Sequence, residues 1–183
     1  MVDKEQERAL VAAARRGDTH SFSLLYEMIY RDLYKAALYI LQNPEDAENV
    51  VSDTVLDAYS GLDKLRADDA FRGWIFRILN NKCNRLLREY VKRREMEASS
   101  TVEDMAETLQ SEGTVEHEVE NRSLTEQAFS VLSEEERRIV AMTVYGEYDS
   151  GEIAAVMGLN RNTVRSKYSR ALNKMREALG AQL

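Results

Sequence analysis

The sequence predicts an all-α fold of two small helical domains joined by an acidic linker. Three observations predict it. One Pro and eight Gly are scattered through a chain of 183 residues rich in Ala, Leu, Glu and Arg, which leaves little punctuation for hairpins. Alternating β-branched runs are few, while apolar residues recur at intervals of three and four. The stretch from Ala98 to Glu120 is acidic, rich in Ser, Thr and Glu and poor in large apolar residues, the composition of a solvated linker. The expected boundaries are therefore residues 1–97, a linker at 98–120 and a second domain at 121–183.

In the first domain, helices are expected at Lys4 to Arg16 and Thr19 to Gln42. The second has Phe22, Leu25, Tyr26, Ile29, Leu33, Ala37, Leu38 and Leu41 on one buried face. Asn43 and Pro44 break the run, and Pro44 suits the start of a third helix near Glu45 to Ser60, with Asp46 and Glu48 at the positive end of its dipole. On a helical wheel this helix places Val51, Val55, Ala58, Tyr59 and Leu62 on one side and Asp46, Asn49, Asp53 and Asp57 on the other. Taken alone, that acidic stripe fits an ordinary solvated face. It does not fit a metal or general-acid site, because carboxylates spread along one helix do not converge and no His lies nearby.

Gly61 to Ala70 reads as a loop with a short turn, followed by the amphipathic stretch FRGWIFRILNNKCNRLLREYVKRR from Phe71 to Arg94. Its apolar set is Phe71, Ile75, Ile78, Leu79, Cys83, Leu86, Leu87 and Tyr90, while Arg77, Asn81, Asn84, Arg85, Arg88 and Lys92 share another face suited to phosphates and base edges. Basic amphipathic helices also lie on membranes or enter partner grooves, but the wide apolar side here fits a bundle core. Trp74 lies near the basic stripe and fits either core packing or stacking on an unpaired base.

Beyond the linker, a helix over Arg122 to Leu132 turns Leu124, Ala128, Phe129 and Leu132 inward. Ser133 with Glu136 forms a capping box for the next helix, which Gly146 ends after Tyr145. A short helix at Ser150 to Met157, a tight Gly158-Leu159-Asn160 turn and a helix from Arg161 to Leu179 complete the pattern. The last helix buries Val164, Tyr168, Ala171, Leu172 and Met175 and exposes Arg161, Asn162, Arg165, Ser166 and Ser169 early, with Lys167, Arg170 and Lys174 further around. That pattern is a helix-turn-helix offering the start of its second helix to a major groove, with a plain helical hairpin as the alternative.

The formal net charge of −7 conceals two basic islands, roughly +5 on residues 70–97 and roughly +6 on 161–176, in an otherwise acidic chain. An enzyme is disfavoured: there is no Gly-rich phosphate loop, His20 and His117 are the only imidazoles, and Cys83 has no His partner in plausible reach. No catalytic residue, metal ligand or cofactor is expected. The charged N-terminal residues Met1 to Leu10 and the absence of a membrane-spanning apolar run predict a cytoplasmic protein without membrane insertion.

Two strings resemble a known family. Leu132 to Leu179, with the TVRSK core at Thr163 to Lys167, resembles region four of RNA polymerase sigma factors, which reads the minus-35 element. NPEDAENVVSDTVLDAY at Asn43 to Tyr59, followed by FRGWIFRILNNKCNRLLRE, resembles region two of the extracytoplasmic-function (ECF) subfamily. The resemblance implies a sigma factor that binds core RNA polymerase, recognises minus-10 and minus-35 promoter DNA, promotes initiation and is held by an anti-sigma factor. It implies a polymerase contact at Asp46, Asn49, Ser52 and Asp53, with Asn49 and Ser52 departing from the acid and Gln common there. It implies minus-10 contacts at Leu65, Arg66, Asp68, Trp74, Arg77, Asn80, Asn81, Asn84, Arg85 and Arg88, with Asn84 replacing a usual Asp. It implies minus-35 readers at Arg161, Asn162, Thr163, Arg165 and Ser166, and phosphate contacts at Lys167, Ser169, Arg170 and Lys174. The rival is a stand-alone helix-turn-helix regulator, which would bind duplex DNA as a dimer without polymerase.

Overall fold

A computed structural model describes residues 4–100 and 123–180. Every regular element among them is helical: α1 (Lys4–Ala14), α2 (Thr19–Leu41), α3 (Pro44–Gly61), short 3-10 turns at Leu62–Lys64 and Asp68–Ala70, α4 (Phe71–Ser100), α5 (Leu124–Ser130), α6 (Glu134–Val144), α7 (Ser150–Met157) and α8 (Arg161–Gly180). The fourth helix runs past the expected start of the linker at Ala98, and the remainder of that linker lies outside the described residues.

Local chemistry sets the boundaries. Asp18 caps α2 by accepting from the His20 amide at 3.1 Å and the Ser21 hydroxyl at 2.6 Å. Gln42 ends that helix in the left-handed region at φ 56°, and the Asn43 side chain then accepts from the amides of Glu45 and Asp46 at 2.9 and 3.2 Å to start α3, with Pro44 at its first position. Ser123/Glu126, Ser133/Glu136 and Asp149/Glu152 are reciprocal capping boxes at the starts of α5, α6 and α7. Gly146 follows α6 where only a glycine fits: a Cβ there would meet the Tyr148 ring at 2.7 Å and the Met142 carbonyl at 2.8 Å.

Helices α1 to α4 pack around Val11, Leu25, Ile29, Leu33, Val51, Phe71, Ile75 and Leu79, all fully buried. In the C-terminal half, α5, α6 and α7 all rest on α8. The two halves are docked, with α2 packed against α6, and one continuous core cluster extends from Leu25 and Phe71 to Ile139, Met142, Ile153 and Val164.

Four side chains expected inside lie largely at the surface. Tyr26, Tyr59, Leu124 and Leu172 are all exposed, because each sits at the edge of its helix's apolar stripe; Tyr59 still meets Phe22 of α2 edge-on, with ring centroids 4.9 Å apart. Leu124 is in addition the first residue of its helix, behind the cap Ser123 and two residues later than the expected start at Arg122.

Candidate nucleic-acid and polymerase interfaces

The basic face of α4 is built by helical spacing. Arg77, Asn81, Arg85, Arg88 and Lys92 are exposed and Asn84 is half-buried, while Phe71, Ile75, Leu79 and Cys83 anchor the opposite side. Asn81, Asn84, Arg85, Arg88, Glu89 and Lys92 line one open groove, to which Val156 of α7 contributes. Two expected minus-10 contacts are placed otherwise. Leu65 is 3% exposed and belongs to the core, because the 3-10 turn before it folds the chain back so that its amide reaches the Leu62 carbonyl. Asn80 is 1% exposed, and neither atom of its amide has a hydrogen-bond partner among the described residues.

Trp74 is half-buried, packed against the N-terminal core with its ring 3.6 Å from where a Cβ on Gly61 would stand. It also lines a cleft with Arg77. In the loop before α4, Arg66 is exposed, whereas Asp68 is held at 2.7 Å by Arg15, in the turn after α1. Sequence reasoning gave no role to Arg15, since a partner 53 residues away leaves no local signal.

On α3, Asn49, Ser52 and Asp53 are exposed on one face, as their spacing requires. Asp46 is partly withdrawn: it accepts from the Tyr90 hydroxyl at 2.5 Å, and this carboxylate pushes the tyrosine's pKa up. Lys82 of α4 reaches Asp57 at 2.7 Å and Asp53 at 3.9 Å, so part of the acidic stripe is neutralised within the chain.

The helix-turn-helix consists of α7, a turn with Gly158 at φ 67°, and α8, capped by Asn160 accepting from the Asn162 amide at 2.8 Å. Arg161, Asn162, Arg165, Ser166, Ser169 and Arg170 are exposed, while Val164 and Ala171 fix the opposite face and Thr163 is half-buried. The Ser150 hydroxyl lies 3.3 Å from Nε of both Arg161 and Arg165, drawing the two guanidiniums together over the start of α7. Below them the amides of Glu152 and Gly151, aided by Arg161 and Arg165, hold the Asp149 carboxyl below the usual carboxylate range. Lys167 and Lys174 differ: they pair with Glu135 at 2.6 Å and Glu136 at 2.8 Å in α6, so they brace α8 within the chain.

Among the described residues, no group of three or more His, Cys, Asp or Glu could hold a metal ion. The Cys83 thiol is fully buried, and burial pushes its pKa up to about 12, against the opposing pull of Arg138. No helix among the described residues is long and apolar enough to cross a membrane.

Two family models match the chain, Sigma-70 region 2 over residues 25–94 and Sigma-70, region 4 over residues 122–175. The RNA polymerase sigma factor NccH of Alcaligenes xylosoxydans xylosoxydans is 30% identical, over 96% of this chain and 95% of its own length. The ECF RNA polymerase sigma factor SigM of Mycobacterium tuberculosis is 27% identical, over 97% of this chain and 86% of its own. Among solved structures, CnrH in complex with the cytosolic domain of CnrY superposes with a TM-score of 0.63 at 26% identity, covering 97% of this chain and 99% of that one. RpoE in complex with the anti-sigma factor NepR from Bartonella quintana shares the fold, with a TM-score of 0.65 at 21% identity over 87% of this chain and 96% of that one. With both regions matched in order and relatives aligned along nearly the whole length, the chain belongs to the ECF sigma factors, the RNA polymerase subunits that recognise promoters and initiate transcription.

Proposed function

We propose that residues 1–97 form the region that binds core polymerase and reads and melts the minus-10 element, and that residues 121–183 form the region that reads the minus-35 element, tethered through 98–120. The observation that carries this reading is the pair of exposed polar faces, one along α4 and one at the start of α8, each backed by a buried apolar face. Arg77, Asn81, Asn84, Arg85 and Arg88 contact the minus-10 duplex and the strand released from it, with Trp74 and Arg66 beside the flipped base. Unpairing costs a few kcal/mol per base, which stacking and phosphate contacts offset. Arg161, Asn162, Arg165 and Ser166 read the minus-35 groove, with Thr163 beside them, and Ser169 and Arg170 hold phosphates. Lys167 and Lys174, already paired with α6 carboxylates, reach phosphates only by exchanging those partners.

Asn49, Ser52 and Asp53, with Asp46 at the margin, face the polymerase. An anti-sigma factor covers these faces in the resting cell, as the complexes of CnrH with CnrY and of RpoE with NepR suggest by likeness. The chain performs no covalent chemistry of its own and acts in the cytoplasm, where the polymerase is.

Run-off transcription on a promoter library with purified core polymerase tests the reading. New start sites appear only with core present, and Arg165→Ala loses those that share one upstream element, by about 5- to 150-fold for a lost base contact of about 1–3 kcal/mol. If the chain alone shifts duplex DNA and no transcription appears, a stand-alone regulator takes its place.

A further inference from the structure

Ser150 has no part in the promoter contacts described above, yet its hydroxyl touches both arginines at the start of α8. It is the first residue of α7 and half-buried, whereas the cap of that helix is Asp149. Asp149 already serves the free amides there, accepting from Gly151 at 2.5 Å and from Glu152 at 3.0 Å. Ser150 is therefore not needed to start the helix, and its side chain is left to act across the turn.

Arg161 and Arg165 stand one turn apart on α8, so their side chains leave it on the same face. Each donates through Nε to the Ser150 Oγ at 3.3 Å, which engages both lone pairs of a single hydroxyl. The Asp149 carboxyl below, held under its ordinary range first by the Glu152 and Gly151 amides and then by these two arginines, attracts both guanidiniums. Space permits the approach: a Cβ on Gly151 would lie 3.9 Å from Nε of Arg161, so a longer side chain there would crowd the guanidinium. Among the described residues neither guanidinium forms an ion pair, and each donates only through Nε, so the Nη groups of both stay free.

That choice of nitrogen bears on base reading. A guanidinium offers a bidentate fork either end-on, through its two Nη groups, or side-on, through Nε and one Nη. With Nε engaged the end-on fork remains, and it suits a base edge with two acceptors, as guanine presents at O6 and N7. Both Nε atoms lie 3.3 Å from one oxygen, so they are separated by no more than twice that distance, about two base-pair steps at ~3.4 Å each. Two forks are thus brought to neighbouring base pairs as a unit. Exposed arginines without such a tie sample many rotamers, and ordering them on binding costs affinity.

We propose that Ser150 is a positioning residue for minus-35 recognition: its hydroxyl pre-orders Arg161 and Arg165 as a paired fork that enters the groove with little further ordering. This rests on the assignment of α8 to the minus-35 element.

The test measures binding of the full chain, with core polymerase, to fluorescent promoter fragments whose minus-35 base pairs are changed one at a time. Ser150→Ala weakens binding to the most tightly bound fragment by about three- to tenfold, the cost of ordering one or two long side chains. The penalties for a wrong base shrink together at the neighbouring pairs read by the fork, while those elsewhere stay as in the parent chain. Ser150→Thr keeps the hydroxyl and restores both affinity and profile. Circular dichroism and the urea midpoint check that α7 is intact, as expected with Asp149 as its cap; if Ser150→Ala disturbs the fold, Ser150→Val against the isosteric Ser150→Thr isolates the hydroxyl. Unchanged or tighter binding by a folded Ser150→Ala chain, or a loss spread evenly over all base pairs, overturns the positioning role. Arg165→Ala on the same fragments separates the two assignments. If it loses the minus-35 profile while Ser150→Ala keeps it, only the positioning role fails; if Arg165→Ala keeps the profile, the assignment of α8 fails with it.

Discussion

Asn80 illustrates how a single residue's role depends on what covers it. By spacing alone it sits beside Asn81 on a helix rich in amides and guanidiniums, and sequence reasoning placed it against DNA. In the docked chain it is 1% exposed, with both amide atoms unpartnered among the described residues. An unsatisfied buried donor or acceptor costs about 1–3 kcal/mol, whereas an apolar group of similar shape costs nothing of the kind. Asn80→Leu is therefore expected to raise the urea midpoint of the full chain by about 1 kcal/mol of stability without changing the slope. A fall of similar size would show that the amide has a partner in solution. Trp74 and Arg77, six and three positions earlier, keep part of their surface in a cleft.

At the scale of the element, helix boundaries were legible because they are written in short-range chemistry. The Asn43-Pro44 break, the Ser133/Glu136 box and the Gly158 turn each involve residues within four positions of one another, and each is found where the sequence placed it. Asn43→Ala removes the acceptor for two amides at the start of α3 and is expected to cost about 1 kcal/mol, read as a lower urea midpoint, while Asn43→Asp retains most of the stability. The faces of the helices were less legible. Tyr39 was absent from the apolar face read for α2, since it points away from the N-terminal core and is buried only by Phe129 and its neighbours, some 90 residues later. The pairing of Lys82 with Asp57, and of Lys167 and Lys174 with Glu135 and Glu136, was hidden for the same reason: each partner lies on another helix. Periodicity reports which side of a helix is apolar, and it is silent on which neighbour that side meets.

For the whole molecule, the sequence predicts two halves, each with a basic island, and a tether between them, which suits parts that must reach distant elements, but it is silent on whether they meet. The docked form joins them through apolar packing at Tyr39 and through the partly buried guanidinium of Arg72, whose contacts are screened by salt less than surface pairs are. A core cluster shared by both halves makes their stabilities interdependent, because unfolding either half strips the cover from the other. Trp74, the only tryptophan, reports on the N-terminal half at the seam, while far-UV circular dichroism reports on all the helices. The two signals are expected to follow one coincident urea transition in the parent chain. In Tyr39→Ala they separate, since the knob that carries the energetic link is gone and each half then unfolds at its own midpoint. Separate transitions in the parent chain would mean that the docking contributes little free energy.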